Sequence, residues 1–157
     1  MNALLLFISL NLLTPAVPAI NKKVIEYVNT VIGKKVARGE CWDLAAAALE
    51  YAGAYLDRSN QKNIYVFGKE LNPNQDNIYP GDIIQIEDVK MEYTKGNMIY
   101  TETMRHHTAI IYEIVEKNVF KIAHQNTSFS GKKVGISNFD LNTVQQGTVI
   151  FYRPYKR

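Results

Sequence analysis

Residues 42–55 constrain the fold more than any other stretch. They are rich in Ala and Leu, contain no Pro, and so favour a helix strongly. Cys41, Leu44, Ala45, Ala48, Leu49 and Ala52 fall on one stripe of that helix. The stripe is wide and made mostly of small side chains, so the helix packs closely on a neighbour, and a sheet is the expected one. Gly39 permits a sharp turn just before it. A shorter amphipathic helix is expected over residues 21–34, where Val24, Val28, Val31 and Ile32 recur at helical spacing. Asn21 is its expected N-cap, and Gly33 weakens its end.

Beyond Tyr55 the helical pattern stops. Residues 63–67 form a short candidate strand, 72–79 a loop, Pro80-Gly81 a turn, and 83–87 a further strand. Thr94-Lys95-Gly96-Asn97 is a turn between two strand-like arms. Further strands are expected over 107–115, 119–126, 133–138 and 148–152. Helices first, then five or six strands with short connections, is an α+β fold with an antiparallel sheet. No repeat or low-complexity tract interrupts it, and the length suits one domain.

The single cysteine excludes an intramolecular disulfide framework and a Cys-rich zinc finger. The formal charge of +3 is too small to imply a nucleic-acid partner, though it suits an anionic surface. Lys132-Lys133 is a solvated pair, and no Gly-rich phosphate loop is present, so no cofactor is implied. Residues 3–13 are apolar except for Ser9 and Asn11, and Val17 and Ala19 suit the −3 and −1 positions of a cleavage site. Residues 1–19 therefore read as a secretory signal peptide, with the domain over 20–157. That predicts a secreted or extracytoplasmic protein with no stable membrane insertion after cleavage. In such a compartment an unpaired thiol must be buried, reactive, or paired between chains.

Cys41 stands where a thiol becomes a nucleophile. At a helix start, unpaired backbone N–H groups and the helix dipole favour the thiolate and can hold an oxyanion. An imidazole completes the chemistry by taking the thiol proton and returning one to the leaving group. All three histidines, His106, His107 and His124, lie on two adjacent expected strands. If the hairpin loop is Glu116-Lys117, His107 falls opposite Asn126. If it is Lys117-Asn118, His107 falls opposite Ser128 and Asn126 faces Ala109. Both registers put His107, His124 and Asn126 on one sheet face and turn Gln125 to the other. A three-residue loop without a bulge would reverse the outcome for Gln125. His106 is expected at the surface or facing substrate. Zinc at Cys41 and the histidines is disfavoured, because adjacent His106 and His107 point to opposite faces.

Four short segments in order resemble a known superfamily: Gly39-Glu40-Cys41-Trp42-Asp43-Leu44, Pro80-Gly81-Asp82-Ile83-Ile84-Gln85, His107-Thr108-Ala109-Ile110-Ile111 and His124-Gln125-Asn126. They look like the papain-like NlpC-type and CHAP cysteine peptidases and amidases, over roughly residues 22–153. Trp42 and the ending Phe151-Tyr152-Arg153-Pro154 also resemble the cysteine-proteinase-fold domain of fungal actin-patch proteins. The resemblance implies a papain-like fold, Cys41 as nucleophile and His107 as general base. The third member is His124 by NlpC logic and Asn126 by papain logic, because His124 replaces the Glu common in CHAP domains. Trp42 and Gln125 are the expected substrate-binding or oxyanion residues. The implied activity is hydrolysis of a peptide or amide bond, with a peptide or peptidoglycan as partner. The same superfamily also contains Cys-dependent acyltransferases and inactive binding modules.

Overall fold

The computed structural model describes residues 16–61 and 63–156, so the leader-like run lies largely outside the described residues. Two helices come first, α1 (Ala19–Val31) and α2 (Cys41–Ala52). Six strands follow: β1 (Lys69–Leu71), β2 (Ile83–Lys95), β3 (Met98–Glu116), β4 (Val119–His124), β5 (Gly135–Asp140) and β6 (Val144–Arg153). They form one antiparallel sheet in the order β1-β6-β2-β3-β4-β5. The α+β class expected from the sequence is the class observed. No helix among the described residues is long and apolar enough to cross a membrane.

The small-residue stripe of α2 packs as its composition requires. Leu44, Ala45, Ala48, Leu49 and Ala52 are buried against Val24 and Val28 of α1 and against Ile83, Ile110 and Ala123 of the sheet. The other sheet face carries a second buried cluster, including Ile84, Ile86, Ala109, Ile111, Phe120, Ile122, Phe139 and Phe151. Curling of the sheet buries it. Phe120 on β4 and Phe151 on β6 are three strand spacings apart, about 14 Å in a flat sheet. Their ring centroids are 5.8 Å apart. The sheet therefore bends into an open half-barrel whose concave side is this second core. His107 alternates in phase with Ala109 and Ile111, so it belongs to the concave side.

Several local expectations are corrected. Asn21 is not the N-cap of α1; Pro18 holds that position, and the helix ends at Val31. Asn21 is fully buried, and its Nδ2 donates to Pro80 O (3.1 Å) and Asp82 Oδ1 (2.7 Å). Gly81 (φ +88°) accommodates this contact, because a Cβ there would lie 2.4 Å from Asn21 O. The candidate strand at 63–67 is a 3-10 turn, Asn63–Tyr65, and the strand forms later as β1 beside the end of β6. The expected strands at 83–87 and 107–115 belong to one long hairpin, turned at Gly96-Asn97 as expected.

The β3–β4 register combines the two considered. The loop is Lys117-Asn118, with Glu116 paired to Val119. Bulges between Ile111 and Glu113 and between Ile114 and Glu116 then slide the strands, and Ile110 ends opposite Ala123. That is the frame in which His107 faces position 126, but β4 stops at His124. Asn126 leaves the strand with φ +63°.

Candidate active site

Cys41 is the first residue of α2 and is half-buried. Gly39 (φ +85°) makes the turn that delivers it. The turn is then pinned from within. Asp43, buried in the first helical turn, accepts Glu40 N (3.1 Å) and Arg38 N (3.0 Å) on Oδ2 and the Arg38 guanidinium (2.9 Å) on Oδ1. Burial pushes its carboxyl pKa up, yet the hydrogen bonds from Arg38 and Glu40 hold it below the usual range. A carboxylate there complements the positive end of the helix.

The helix start is also tied to the segment following β4. Glu40 O accepts Gln125 Nε2 (2.8 Å), and the Glu40 carboxylate accepts Asn126 Nδ2 (2.8 Å) and the Lys132 ammonium. The fully buried Gln125 amide also accepts Val36 N (3.1 Å) and donates to Val36 O (3.0 Å). These bonds bring the backbone beside Cys41 against residues one and two places past His124. They also correct two sequence expectations. Gln125 is a buried brace whose amide is already committed to backbone. Asn126 holds Glu40 and does not orient His107. Trp42 is committed too, because its Nε1 donates to Ile64 O (2.7 Å) and Arg58 lies 5.5 Å over its ring. The Trp42 side chain is therefore a brace, while its backbone N–H remains at the helix start.

The structure does bring His107 and His124 together, but on the sheet face away from α2, which corrects their expected roles as base and orienting member for Cys41. His107 Nε2 lies 2.8 Å from His124 Nδ1, and His124 Nε2 lies 2.8 Å from Ser137 Oγ on β5. Both imidazoles are buried. Burial, and secondarily the neighbouring His106, lowers the His107 pKa to about 4. Burial, and secondarily His107, lowers that of His124 to about 3. Both rings are therefore neutral at pH 7. Two neutral imidazoles can share a hydrogen bond only if one donates and the other accepts. When His107 Nε2–H donates to His124, His124 Nε2–H donates to Ser137, and His107 Nδ1 is left bare. In that arrangement Nδ1 is free to take a proton. Ser137 is a member that sequence reading did not name. Its signal was its place on the strand expected at 133–138.

His106 points the other way. Its Nδ1 lies 2.8 Å from Glu87 Oε2, and its ring meets Tyr65 edge-on at 4.4 Å. Beneath it, buried Gln85 donates to Glu87 Oε1 (2.8 Å) and accepts from Thr108 Oγ1 (2.6 Å). Among the described residues, neither His107 nor His124 is hydrogen-bonded to the Cys41 thiol, and no group of three or more His, Cys, Asp or Glu could hold a metal ion.

A helix opened by cysteine, packed on an antiparallel sheet that carries the paired histidines, is the papain-like cysteine-proteinase fold. The chain belongs to the family described as AIM3/BBC1 Cysteine proteinase-fold domain, which it matches over residues 11–157. Two solved structures are similar in fold. One, "The crystal structure of Ly7917 with the hydrolyzing product of MDP", has a TM-score of 0.51 at 15% identity, covering 85% of this chain and 62% of that one. The other, "The crystal structure of Ly7917", has a TM-score of 0.48 at 18% identity, covering 84% and 62%. The chain thus spans 62% of the length of these structures. No curated protein matches it by sequence.

Proposed function

We propose that this domain is a thiol hydrolase of peptide or amide bonds. Cys41 is the nucleophile, His106 the base, and Glu87 the group that holds it. The observation carrying this reading is that His106, bonded to Glu87, stands on the sheet face that α2 covers and against Tyr65, whose neighbour Ile64 accepts the Trp42 side chain next to Cys41. In the reaction, His106 takes the thiol proton as sulfur bonds to the carbonyl carbon. The carbonyl oxygen gains charge against the free N–H groups of the α2 N-terminus. Return of the proton to the leaving nitrogen breaks the C–N bond and leaves a thioester. Water, deprotonated by His106, then releases the acid and restores the thiol.

Peptidoglycan stem peptides are the proposed substrate class, and the proposed site of action is outside the cytoplasm. Three observations support this: the fold shared with a structure that holds a peptidoglycan-fragment product, the net positive charge, and the leader-like residues 1–19. The test is product analysis of peptidoglycan fragments with wild type and Cys41→Ala. Equal hydrolysis by both would refute the assignment. A second reading, a binding module on the same fold, is favoured by the lack of a hydrogen bond between thiol and imidazole. Cys41 alkylation by iodoacetamide no faster than that of a free thiol at the same pH supports this alternative.

A further inference from the structure

Two polar residues beside the proposed base take no part in the reaction above. Gln85 and Thr108 stand directly opposite each other on β2 and β3, and Glu87 and His106 form the next pair on the same face of that ladder. All four belong to the face that α2 covers. Gln85 and Thr108 are buried, at 1% and 0% exposure, whereas the Glu87 and His106 side chains are 37% and 42% exposed. A pair that exposed is held weakly on its own, because two mobile side chains must be fixed in one geometry. The buried pair reaches up to fix it. Gln85 Nε2 donates to Glu87 Oε1 (2.8 Å), and Thr108 Oγ1 donates to Gln85 Oε1 (2.6 Å). Stability does not account for Gln85 and Thr108, because two apolar side chains of the same shape in place of a satisfied buried pair can be neutral or stabilising.

The direction of each bond in this run is forced. A carboxylate only accepts, so the Gln85 amide must turn its nitrogen to Glu87 and its oxygen to Thr108, whose hydroxyl must then donate. Glu87 Oε2, 2.8 Å from His106 Nδ1, likewise requires the ring proton on Nδ1. In the neutral ring Nε2 is then bare, and Gln85 does not consume it. The Gln85 amide nitrogen lies 3.4 Å from His106 Nδ1 and 3.5 Å from Nε2. A position equally near both nitrogens is over the face of the ring, away from either lone pair. We infer that Gln85, held by Thr108, is a positioning residue for the thiol reaction: it fixes the Glu87 carboxylate so that His106 carries its proton on Nδ1 and keeps Nε2 bare as the proton acceptor. This rests on the hydrolase reading above.

Long-range proton–nitrogen correlation NMR reads the proton's place directly, because protonated and bare imidazole nitrogens resonate far apart. Spectra are recorded at the alkaline limit of the titration, and His106→Ala identifies the His106 signals. Wild type is expected to show the Nδ1–H form alone, and Gln85→Leu a mixture with the Nε2–H form. The kinetic readout is acylation of Cys41 by N-acetylglycine p-nitrophenyl ester: p-nitrophenolate leaves as the S–C bond forms, and the thiol proton passes to His106 Nε2. Gln85→Leu is expected to lower the maximal burst rate about 3- to 10-fold at an unchanged half-saturating concentration. Thr108→Ser keeps the hydroxyl and should keep the wild-type tautomer and rate, whereas Thr108→Val should move both as Gln85→Leu does. In a Glu87→Gln background, Gln85→Leu should add less than about two-fold, because the group it positions is gone. A folded Gln85→Leu with the wild-type tautomer and burst overturns the positioning role alone. Should Gln85→Leu not fold, the same result from Thr108→Val overturns it. Absence of a Cys41-dependent burst in wild type overturns the hydrolase reading, and the positioning role with it.

Discussion

His106 and His107 are neighbours in sequence and opposites in environment. His106 is half-exposed on the helix side of the sheet, beside a carboxylate and above a Gln85–Thr108 hydrogen bond. His107 is buried on the concave side, against a second imidazole. One step along a strand reverses the face, so the same backbone gives two identical side chains different surroundings. Burial favours an uncharged His107. His106 instead shares the face that α2 covers, and α2 begins at Cys41.

The comparison can be broken most directly at the reaction. Cys41→Ala and His106→Ala are each expected to reduce hydrolysis by about 10³-fold or more, while His107→Gln leaves it within about 3-fold. If His107→Gln proves as damaging as Cys41→Ala, the roles of the two histidines are exchanged. Next comes thiol reactivity: His106→Ala should slow Cys41 alkylation at pH 7 by about 10- to 100-fold, and His107→Gln by less than about 2-fold. Mass spectrometry of labelled peptide reads both. Glu87→Gln should fall between, about 10-fold, because His106 keeps its place but loses the partner that fixes its tautomer.

Stability against pH sharpens the contrast further. The folded pKa values of His107 and His124 lie below the ordinary 6.5. Between those values and 6.5 the unfolded chain binds more protons, so stability is fully present above pH 6.5 and declines as the pH falls. The slope is at most about 1.4 kcal/mol per pH unit for each imidazole, and it ends once the folded pair titrates. Urea unfolding at pH 7.0 and 5.0 should show this loss in wild type and about half of it in His107→Gln, where His124 remains buried. The smallest effect belongs to the exposed pair: Glu87→Gln should change unfolding free energy by less than about 1 kcal/mol.

The sequence made Cys41 and the histidine pair readable for different reasons. Cys41 followed from local signals, a glycine turn and an Ala-rich stripe, and α2 begins at that residue. The shared face of His107 and His124 followed from period-2 alternation, which survived two bulges because together they shift the register by an even number. Asn126 was misplaced because the end of β4 is set by distant contacts, its own bond to Glu40 and that of Gln125 to Glu40 O. Gln125 was correctly turned away from the histidines, yet nothing local shows that Val36 and Glu40 consume its amide. The strand expected at 63–67 failed similarly. Gly68 passes so close to Arg153 O that a Cβ would meet it at 2.0 Å, and this fit to β6 sets where β1 begins.

The ties between Glu40 and residues 125, 126 and 132 also bear on biosynthesis. Cys41 is translated early, but the residues that fix its neighbouring backbone follow 85 to 92 positions later. Contacts of that separation form late and slowly, because a long loop must close before they give any return. A nascent or truncated chain therefore carries Cys41 without the ties that fix its helix start.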